Sequence, residues 1–521
     1  MTRNSLAACA ATAALLGLLG RGLAAQEVPR IDTVEIRPTN VFSDEEASVA
    51  FFPYRFANLL HIRTKTSFIQ NQLLFKPGDP LLPELLAETE RNLRAFGLFR
   101  RAYVRAEGTR VVVETADAWT LLLRGSLSNK GGVTTYSIGA EEYNLLGLGM
   151  QFGFGWEKET DRSSRSVFFI APDAFAPHAI LDVQASDLSD GQHSTFAYGR
   201  GFYALEVPWA LESFLDRALS DTKLYAGGEE AAVWKQREHD ARLSGGTLLS
   251  GDLTGANRLL GSIEWSEVRL RAGGEGPPPP SGPSADRTFL FLSLGFEHVG
   301  SNWITRRQVE KIERDEDFNL APTVRVEMGV SPNLEGTRAA GRLLTSLGAG
   351  TSFSSGFALF SATGSTRLDD GVQNATVGAD VRGYLLTGPW AFVGHVGTLV
   401  GWRLDPEVQI PLDGSTGVRG YRLHAVEGDR RLVMNAEARV LVVPEILSLL
   451  SFGLAAFGDA GYSWGPPDGS WTLADAGVGV RIGITRASKN SLVRVDVARV
   501  LHPDPLGRTG WLVSFASSQA F

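Results

Sequence analysis

One set of residues in the sequence has the order of a serine hydrolase. Residues 461–465 have the sequence GYSWG, which matches the G-x-S-x-G pattern, and Asp496 and His502 follow Ser463 in the hydrolase order. This pattern needs a strand, a sharp turn and then a helix, because the serine hydroxyl must be exposed beside its base. Residues 466–469 are PPDG, which predicts a hairpin turn leading to another strand. We therefore expect that the protein is not an enzyme, with a serine esterase as the most concrete enzymatic alternative.

The other residues that could bind metals, phosphates or nucleic acids are scattered along the chain. The eight histidines form no H-E-x-x-H pattern and no close cluster with carboxylates. Residues 147–149 (GLG) lack the strand, loop and helix in which a phosphate is held. With 50 Lys and Arg against 58 Asp and Glu, the net charge is −8 and no basic patch is present, which argues against a dedicated nucleic-acid-binding protein. The sequence therefore predicts no metal site, no cofactor and no nucleic-acid partner.

An N-terminal export signal is indicated by residues 1–25. Arg3 supplies a positive start, residues 6–19 are almost wholly apolar, and small residues at 22–25 suit cleavage by signal peptidase. Cys9 is the one cysteine of the chain and lies inside this segment, so the mature protein would contain no disulfide and no thiolate ligand. We expect residues 1–25 to be a signal peptide and the remainder to be exported.

From residue 118 to residue 521 the sequence is a succession of short alternating segments. Successive segments at hairpin spacing are residues 135–144, 148–158, 165–172, 180–187 and 195–205. No stretch reaches the roughly 18 consecutive apolar residues of a membrane-spanning helix, whereas a strand of a membrane barrel needs only about ten alternating residues. Together with the export signal, this pattern favours a transmembrane antiparallel β-barrel over residues 118–521, with a soluble β-sandwich as the alternative.

The region before the barrel, residues 26–117, has a different pattern. It contains a strand at 31–37, helical spacing of apolar residues at 64–75 and 83–96, and further strands at 102–106 and 109–115. The order β-α-α-β-β predicts a small α+β domain.

Several short motifs, taken in order, resemble one family of outer-membrane proteins. They are residues 74–79 (LFKPGD), 88–94 (ETERNLR), 142–149 (EYNLLGLG), 418–421 (VRGY) and 457–461 (FGDAG), followed by the aromatic C-terminal residue Phe521. Their order and spacing after an export signal resemble the BamA/TamA outer-membrane protein superfamily, also called the bacterial surface antigen family. The resemblance covers nearly all of the chain beyond residue 25.

The resemblance implies a mainly β fold with two parts. Residues 26–117 would be one periplasmic domain of the POTRA (polypeptide-transport-associated) type, and residues 118–521 a barrel of about 16 strands. The tip of a loop that folds into the barrel would be Val418, Arg419, Gly420 and Tyr421, facing a strand motif with Phe457, Asp459 and Gly461. The last strand, with Trp511, Phe515 and Phe521, would form a weakly paired seam with an early strand, near residues 119–129 or 135–144.

The arginine of this loop motif needs a partner if the loop lies inside a barrel. Arg419 would be partly removed from water there, and its planar guanidinium suits a bidentate carboxylate such as Asp459. Gly420 would let the backbone approach the wall closely, and Tyr421 could pack against it. In the alternative interpretation, residues 418–421 are an ordinary surface turn with a solvated arginine.

The resemblance implies a protein that assembles, inserts or translocates polypeptides at the bacterial outer membrane. Its expected partners are outer-membrane lipids, unfolded outer-membrane or secreted polypeptides that bind the POTRA-like domain, and periplasmic accessory proteins. A dedicated secretion pore for one passenger protein and a passive channel or surface-structural barrel remain the alternatives. One departure is the polar character of the last strand, where Ser517 and Gln519 are in register with Phe521.

Overall fold

The computed structural model describes residues 28–43, 45–46, 52–130, 133–273, 276–278, 286–312, 314–488 and 492–516. The predicted signal peptide, residues 1–25, and the C-terminal residue Phe521 lie outside this described chain. Within it, an α+β unit precedes a large β-barrel.

The α+β unit is a three-stranded sheet covered by helices. Its elements are β1 (Thr33–Thr39), α1 (Phe52–Leu60), α2 (Thr66–Asn71), α3 (Pro83–Ala95), β2 (Phe99–Glu107) and β3 (Arg110–Asp117). The central strand β3 is parallel to β1 and antiparallel to β2. Residues of α2 and α3, including Ile69 and Leu93, pack with Val111 and Val113 of the sheet in one buried core. The sequence predicted these elements except α1, and the POTRA-type identity of the unit stays a prediction.

The rest of the described chain consists of strands. They are β4 (Leu121–Lys130), β5 (Val133–Leu145), β6 (Met150–Lys158), β7 (Ser163–Pro172), β8 (Ile180–Leu188), β9 (Gly191–Arg200), β10 (Trp209–Ala226), β11 (Glu229–Asp252), β12 (Gly255–Arg271), β13 (Arg287–Gly300), β14 (Trp303–Arg306), β15 (Glu316–Asn319), β16 (Thr323–Ser331), β17 (Ala340–Phe353), β18 (Gly356–Leu368), β19 (Val372–Thr387), β20 (Trp390–Trp402), β21 (Ile410–Leu412), β22 (Val426–Gly428), β23 (Arg430–Ile446), β24 (Leu450–Trp464), β25 (Trp471–Ile484), β26 (Leu492–Val500) and β27 (Gly510–Ala516). Two short hairpins, β14–β15 and β21–β22, stand apart, and the other strands form an antiparallel barrel that β27 and β4 close.

The described barrel has twenty strands, so the count of about 16 expected from the family resemblance was wrong. Alternation identifies the face of a strand, but the number of strands depends on tilt and stagger around the whole closed sheet. A local pattern also leaves strand length undetermined, as in the long strands β10, β11 and β12, which have 18, 24 and 17 residues. The prediction of a mainly β chain with a large antiparallel barrel was correct.

Two long connections enter the barrel from opposite ends. The inner loop, residues 403–429, joins β20 to β23 and contains the β21–β22 hairpin. The domain-side insert, residues 301–322, joins β13 to β16 and contains the β14–β15 hairpin. Antiparallel strands alternate in direction, which places the two connections at different ends. The α+β unit contacts the end with the insert, where Asn92 Nδ2 donates to the Tyr203 carbonyl oxygen at 3.1 Å.

The outward surface of the barrel strands is apolar. On β24, every second residue is buried, including Asp459, while Leu454 and Tyr462 lie outward. On β27, the outward residues are Trp511, Val513 and Phe515. Among the described helices, none has both the length and the apolar composition needed to cross a membrane.

Candidate functional site in the barrel lumen

Arg419 is the central residue of the candidate site and is 4% exposed. Its Nε and Nη2 donate hydrogen bonds to the two carboxylate oxygens of Asp459, at 2.8 and 2.9 Å. Its Nη1 donates to Glu437, and its guanidinium carbon lies 3.5 Å from the centre of the Phe457 ring. Burial acts to lower the pKa of Arg419, but the hydrogen bonds and charges of Asp459 and Glu437 outweigh burial and raise it. The arginine therefore stays charged inside the barrel.

Strand alternation places these partners on the inner surface. Glu437 lies on β23 and Asp459 on β24, and both belong to the buried set of alternate residues. In the register of the two strands, Glu437 is opposite Phe457 and Asn435 is opposite Asp459. Asn435 Nδ2 donates to Asp459 Oδ1 at 2.8 Å and so orients the carboxylate. Two adjacent strands thus supply the anionic pocket for one loop residue.

Gly420 and Tyr421 hold the inner loop against β25. The Gly420 N–H donates to Asp475 Oδ2 at 3.0 Å, and a Cβ on Gly420 would lie 2.7 Å from the Asp475 Cβ, so any side chain would push the loop away. The Tyr421 hydroxyl accepts the Ala474 N–H at 2.9 Å and donates to the His502 carbonyl oxygen at 2.5 Å. Burial raises the pKa of Tyr421 to about 12, so the phenol keeps its proton.

Val418 and Gly461 make the apolar contacts beneath the tip of the loop. Val418 is fully buried in a cluster with Leu412, Tyr421, Ala425, Val426, Val433 and Leu473. A Cβ on Gly461 would lie 2.5 Å from Leu412 Cδ1, so the absence of a side chain lets the β21–β22 hairpin pack on β24. The structure thus brings together Val418, Arg419, Gly420, Tyr421, Phe457, Asp459 and Gly461.

The site contains charged residues that sequence reasoning missed. Glu437 also binds Arg439 and Arg481, and Arg481 binds Asp496 at 2.6 Å. Among the described residues, this charged group contains Arg419, Arg439, Arg481, Arg494, Glu437, Asp459, Asp475 and Asp496. The four arginines form ion pairs with Glu437, Asp459 and Asp496, and this pairing matters because an unpaired buried charge is costly. The polar residues at alternate positions 435, 437 and 439 of β23 form the sequence pattern that could have located these charged residues.

A histidine holds the far side of the inner loop. The His424 ring stacks on Tyr225 at 3.7 Å, its Nδ1 lies 2.8 Å from Glu427, and its Nε2 lies 3.1 Å from Asp161. Burial acts to lower the pKa of His424, but the hydrogen bonds with Asp161 and Glu427 outweigh burial and raise it to about 9. Tyr225 belongs to β10 and Asp161 to the turn after β6, so the inner loop crosses the lumen from one wall to the other.

The domain-side insert reaches the same charged group from the other end. Arg439 Nη1 donates to the Val309 carbonyl oxygen at 2.7 Å, while its Nε donates to Glu437 at 2.8 Å. At the base of the insert, Arg94 of α3 binds Asp317 through hydrogen bonds of 2.7 and 2.8 Å. Direct contacts therefore connect α3 to the insert, and the insert to the site around Arg419. The sequence pattern gave no indication of this insert.

The seam of the barrel lies between β27 and β4. Among the described residues, Val513 opposite Asn129 is the one register pair between these strands. In contrast, β26 and β27 share seven pairs, and β4 and β5 share ten. Trp511 and Phe515 of β27 lie on the outward surface, and Phe521 lies beyond the described chain.

The residues of the hydrolase pattern have other contacts. Ser463 is fully buried, and its hydroxyl donates to the Arg430 carbonyl oxygen at 3.3 Å. Asp496 binds Arg481, and His502 Nδ1 lies 3.2 Å from the Pro503 carbonyl oxygen. The residues after Ser463 lead through a turn into β25, where a nucleophilic serine would need a helix.

No protein-family model and no curated protein matches the chain. Among solved structures, the chain is similar to BamA from Haemophilus ducreyi lacking POTRA domains 1–3, with 12% identity over 95% of this chain and 85% of that chain and a TM-score of 0.42. It is similar to CdiB from Acinetobacter baumannii, with 12% identity over 94% and 73% of the two chains and a TM-score of 0.47. It is also similar to CdiB from Escherichia coli, with 12% identity over 94% of this chain and 76% of that chain and a TM-score of 0.49.

Proposed function

We propose that the protein is an outer-membrane barrel of the BamA/TamA type that inserts or translocates polypeptides. The seam is the observation that carries this proposal: β27 and β4 pair at one described position, while both pair extensively with their other neighbours. A strand edge with unpaired N–H and C=O groups is a template for an incoming strand. A client strand that adds to this edge would satisfy its backbone groups before it meets lipid.

The proposed location is the outer membrane, with the α+β unit in the periplasm. The apolar outward surface of the barrel and the predicted export signal support this location. In the proposal, the unit acts as a POTRA-like domain that receives unfolded clients. Its outer strands β1 and β2 each have one edge that no strand of the described sheet covers, and such edges bind extended peptides by β-augmentation.

The occupied lumen argues against a passive channel. The inner loop crosses the lumen, held at Asp459 on one side and at Asp161 on the other, and the insert enters from the opposite end. Lateral insertion at the seam leaves these contacts intact, whereas secretion through the lumen requires both segments to move. We therefore favour insertion, with a dedicated secretion pore as the second candidate. The free energy comes from the client's own folding, so the proposal involves no enzymatic reaction and no cofactor.

A disulfide across the seam tests the proposal. Directly paired residues of antiparallel strands have Cα atoms about 4.5–5.5 Å apart, which a disulfide can span, so Asn129→Cys and Val513→Cys can be joined. The variant is reconstituted in liposomes, an unfolded barrel protein is added, and its folding is timed by gel mobility. We expect the wild-type protein to accelerate folding over empty liposomes, the oxidised variant to lose this acceleration, and reduction to restore it.

The matched control places the same crosslink away from the seam. Val478 and Val497 are paired on β25 and β26, so a Val478→Cys and Val497→Cys variant introduces a disulfide without joining β27 to β4. We expect this control to accelerate client folding as the wild-type protein does. Equal activity of the seam-locked and control variants would contradict lateral insertion. If the folded wild-type protein does not accelerate client folding, the result would favour a secretion pore or a passive channel instead.

A further inference from the structure

Helix α1 presents apolar side chains to solvent, where the outer side of a domain helix is ordinarily polar. Its inward side contains Tyr54, which is buried, and Asn58, which is half-buried. On the outward side and directly after the helix, Leu59, Leu60 and Ile62 are 79%, 55% and 53% exposed. Large aliphatic side chains clustered in this way indicate a surface that another apolar phase covers.

Specific contacts fix this orientation of α1. The Asn58 side chain donates to the Phe42 carbonyl oxygen at 2.8 Å and accepts the Phe42 N–H at 3.1 Å, and the Tyr54 ring stacks on Phe42 at 4.3 Å. Just beyond the helix, His61 Nε2 lies 2.9 Å from the Asp117 carboxylate at the end of β3. Rotating the helix to bury its leucines would break these contacts. The fold therefore holds the apolar side outward.

Helix α1 contacts the barrel at its rim. The Tyr54 hydroxyl donates to the Leu447 carbonyl oxygen at 2.5 Å, in the turn between β23 and β24. The exposed apolar residues of this turn and of the adjoining strand ends are Val442, Ile446, Leu447, Leu450 and Leu454. This is the rim of the barrel on the side of the α+β unit. At such a rim, acyl chains give way to lipid headgroups.

The charges within α1 and directly after it favour a lipid surface over other partners. Residues 52–66 contain Arg55, Arg63 and Lys65, all exposed, and no Asp or Glu. Apolar side chains flanked by cations bind the membrane interface, because the apolar groups enter the acyl boundary while the cations contact phosphates. The contact of α1 with the barrel rim and the local positive charge both match this chemistry.

We propose that the outward side of α1, with Leu59, Leu60 and Ile62, binds the headgroup region of the periplasmic leaflet beside the rim of the barrel. The inference rests on the proposed outer-membrane location of the barrel. It gives α1 a definite role: the helix holds the α+β unit against the membrane surface. A client bound at the edge of β1 or β2 is then kept close to the lipid that it must enter.

Lipid contact is measured with a fluorescent probe on single cysteines, introduced into the full-length protein with Cys9 replaced by serine. Variants Leu59→Cys and Ala87→Cys are labelled, since Ala87 is an exposed position of α3 and serves as the matched control. The proteins are reconstituted in vesicles of phosphatidylethanolamine and phosphatidylglycerol that contain lipids spin-labelled at the headgroup. We expect quenching at position 59 to exceed quenching at position 87 by roughly threefold or more, as for a helix in the interface.

A third probe distinguishes an error in this inference from an error in the proposed outer-membrane location of the barrel. Leu454→Cys lies on the outward surface of β24 and must be quenched by lipids spin-labelled along the acyl chain. Quenching at 454 with equal, weak quenching at 59 and 87 would overturn the inference alone. Absence of quenching at 454 would overturn the proposed location as well. Self-quenching at position 59 that rises with protein density would instead assign this surface to a second copy.

A paired substitution tests whether the leucines themselves make the contact. With the probe at Ile62→Cys, the change Leu59→Ser with Leu60→Ser should lower quenching by the headgroup label roughly threefold, whereas Leu59→Met with Leu60→Met should preserve it. Neither pair touches the contacts of Tyr54 or Asn58, so the fold of the unit is kept. Unchanged quenching in the serine variant would contradict a role for the leucines.

Discussion

At the scale of residues, the inner loop depends on a balance of buried charge. Arg419→Ala or Asp459→Ala each leaves a buried neighbour uncompensated, and breaking such a pair costs about 3–5 kcal/mol. The double variant removes one charge of each sign and so leaves the net charge of the group unchanged. We expect it to lose little more stability than either single variant, measured as the free energy of urea unfolding in liposomes. Fully additive losses would show that the two residues are not one unit.

Gly420 offers a second test at the scale of one residue. Gly420→Ala places a Cβ 2.7 Å from the Asp475 Cβ, so the tip of the loop must move away from β25, at a cost of about 1–3 kcal/mol. Gly394→Ala on β20 is the matched control, because a Cβ there meets nothing within 4 Å. We expect limited proteolysis to cleave the inner loop faster in the Gly420 variant alone. Equal cleavage of both variants would contradict a tight approach at Gly420.

The pairing of Arg419 with Asp459 was predictable, because a buried guanidinium needs a bidentate anion and both residues belong to recognisable motifs. The additional partners were not predictable. Alternation gives the face on which Glu437 lies, but only the register of the folded strands shows which residue lies opposite. Asp496 illustrates the limit: its order after Ser463 fitted only the hydrolase alternative, and the structure places it against Arg481.

At the scale of elements, the inner loop should loosen as pH rises. The pKa of His424 is about 9 in the fold against an ordinary 6.5, so its contribution is complete below pH 6.5 and is lost as pH rises through about 9. The facing groups are Asp161 and Glu427, with Tyr225 stacked on the ring. We expect protection factors for hydrogen exchange in residues 403–429, which are corrected for the rise of intrinsic exchange with pH, to fall across this range. His424→Gln should remove this pH dependence, and a variant that kept it would contradict the assignment.

The elements that the sequence revealed are those with a local pattern. Helix α3, with its apolar spacing, and strands β2 and β3 lie where the sequence placed them. Helix α1 was missed, because its nine residues direct leucines outward and so lack the pattern of a core-facing helix. The domain-side insert was missed because its contacts, such as Val309 with Arg439, join residues 130 positions apart. Such contacts exist only once the barrel has closed.

At the scale of the whole molecule, two segments enter the lumen, the inner loop from one end and the domain-side insert from the other. Barrels of 16 to 18 strands are already wide enough for an aqueous channel, so twenty strands without these segments would form a wide pore. The two segments meet at the charged group around Glu437, which binds both Arg419 and Arg439. Removing one segment should therefore leave the other still across the pore.

This arrangement predicts the conductance of the barrel in planar bilayers. We expect little steady conductance for the wild-type protein, and a modest increase when residues 303–319 or residues 405–428 are replaced by a short Gly-Ser linker. Replacing both should give a large, porin-like conductance, greater than the sum of the two single effects, because each remaining segment obstructs the pore left by the other. A wild-type protein with porin-like conductance would contradict the closed lumen and favour a passive channel. If replacing the insert alone gave the full porin-like conductance, the inner loop would not obstruct the pore. The contacts of His424 with Asp161, Glu427 and Tyr225 would then contribute to stability alone.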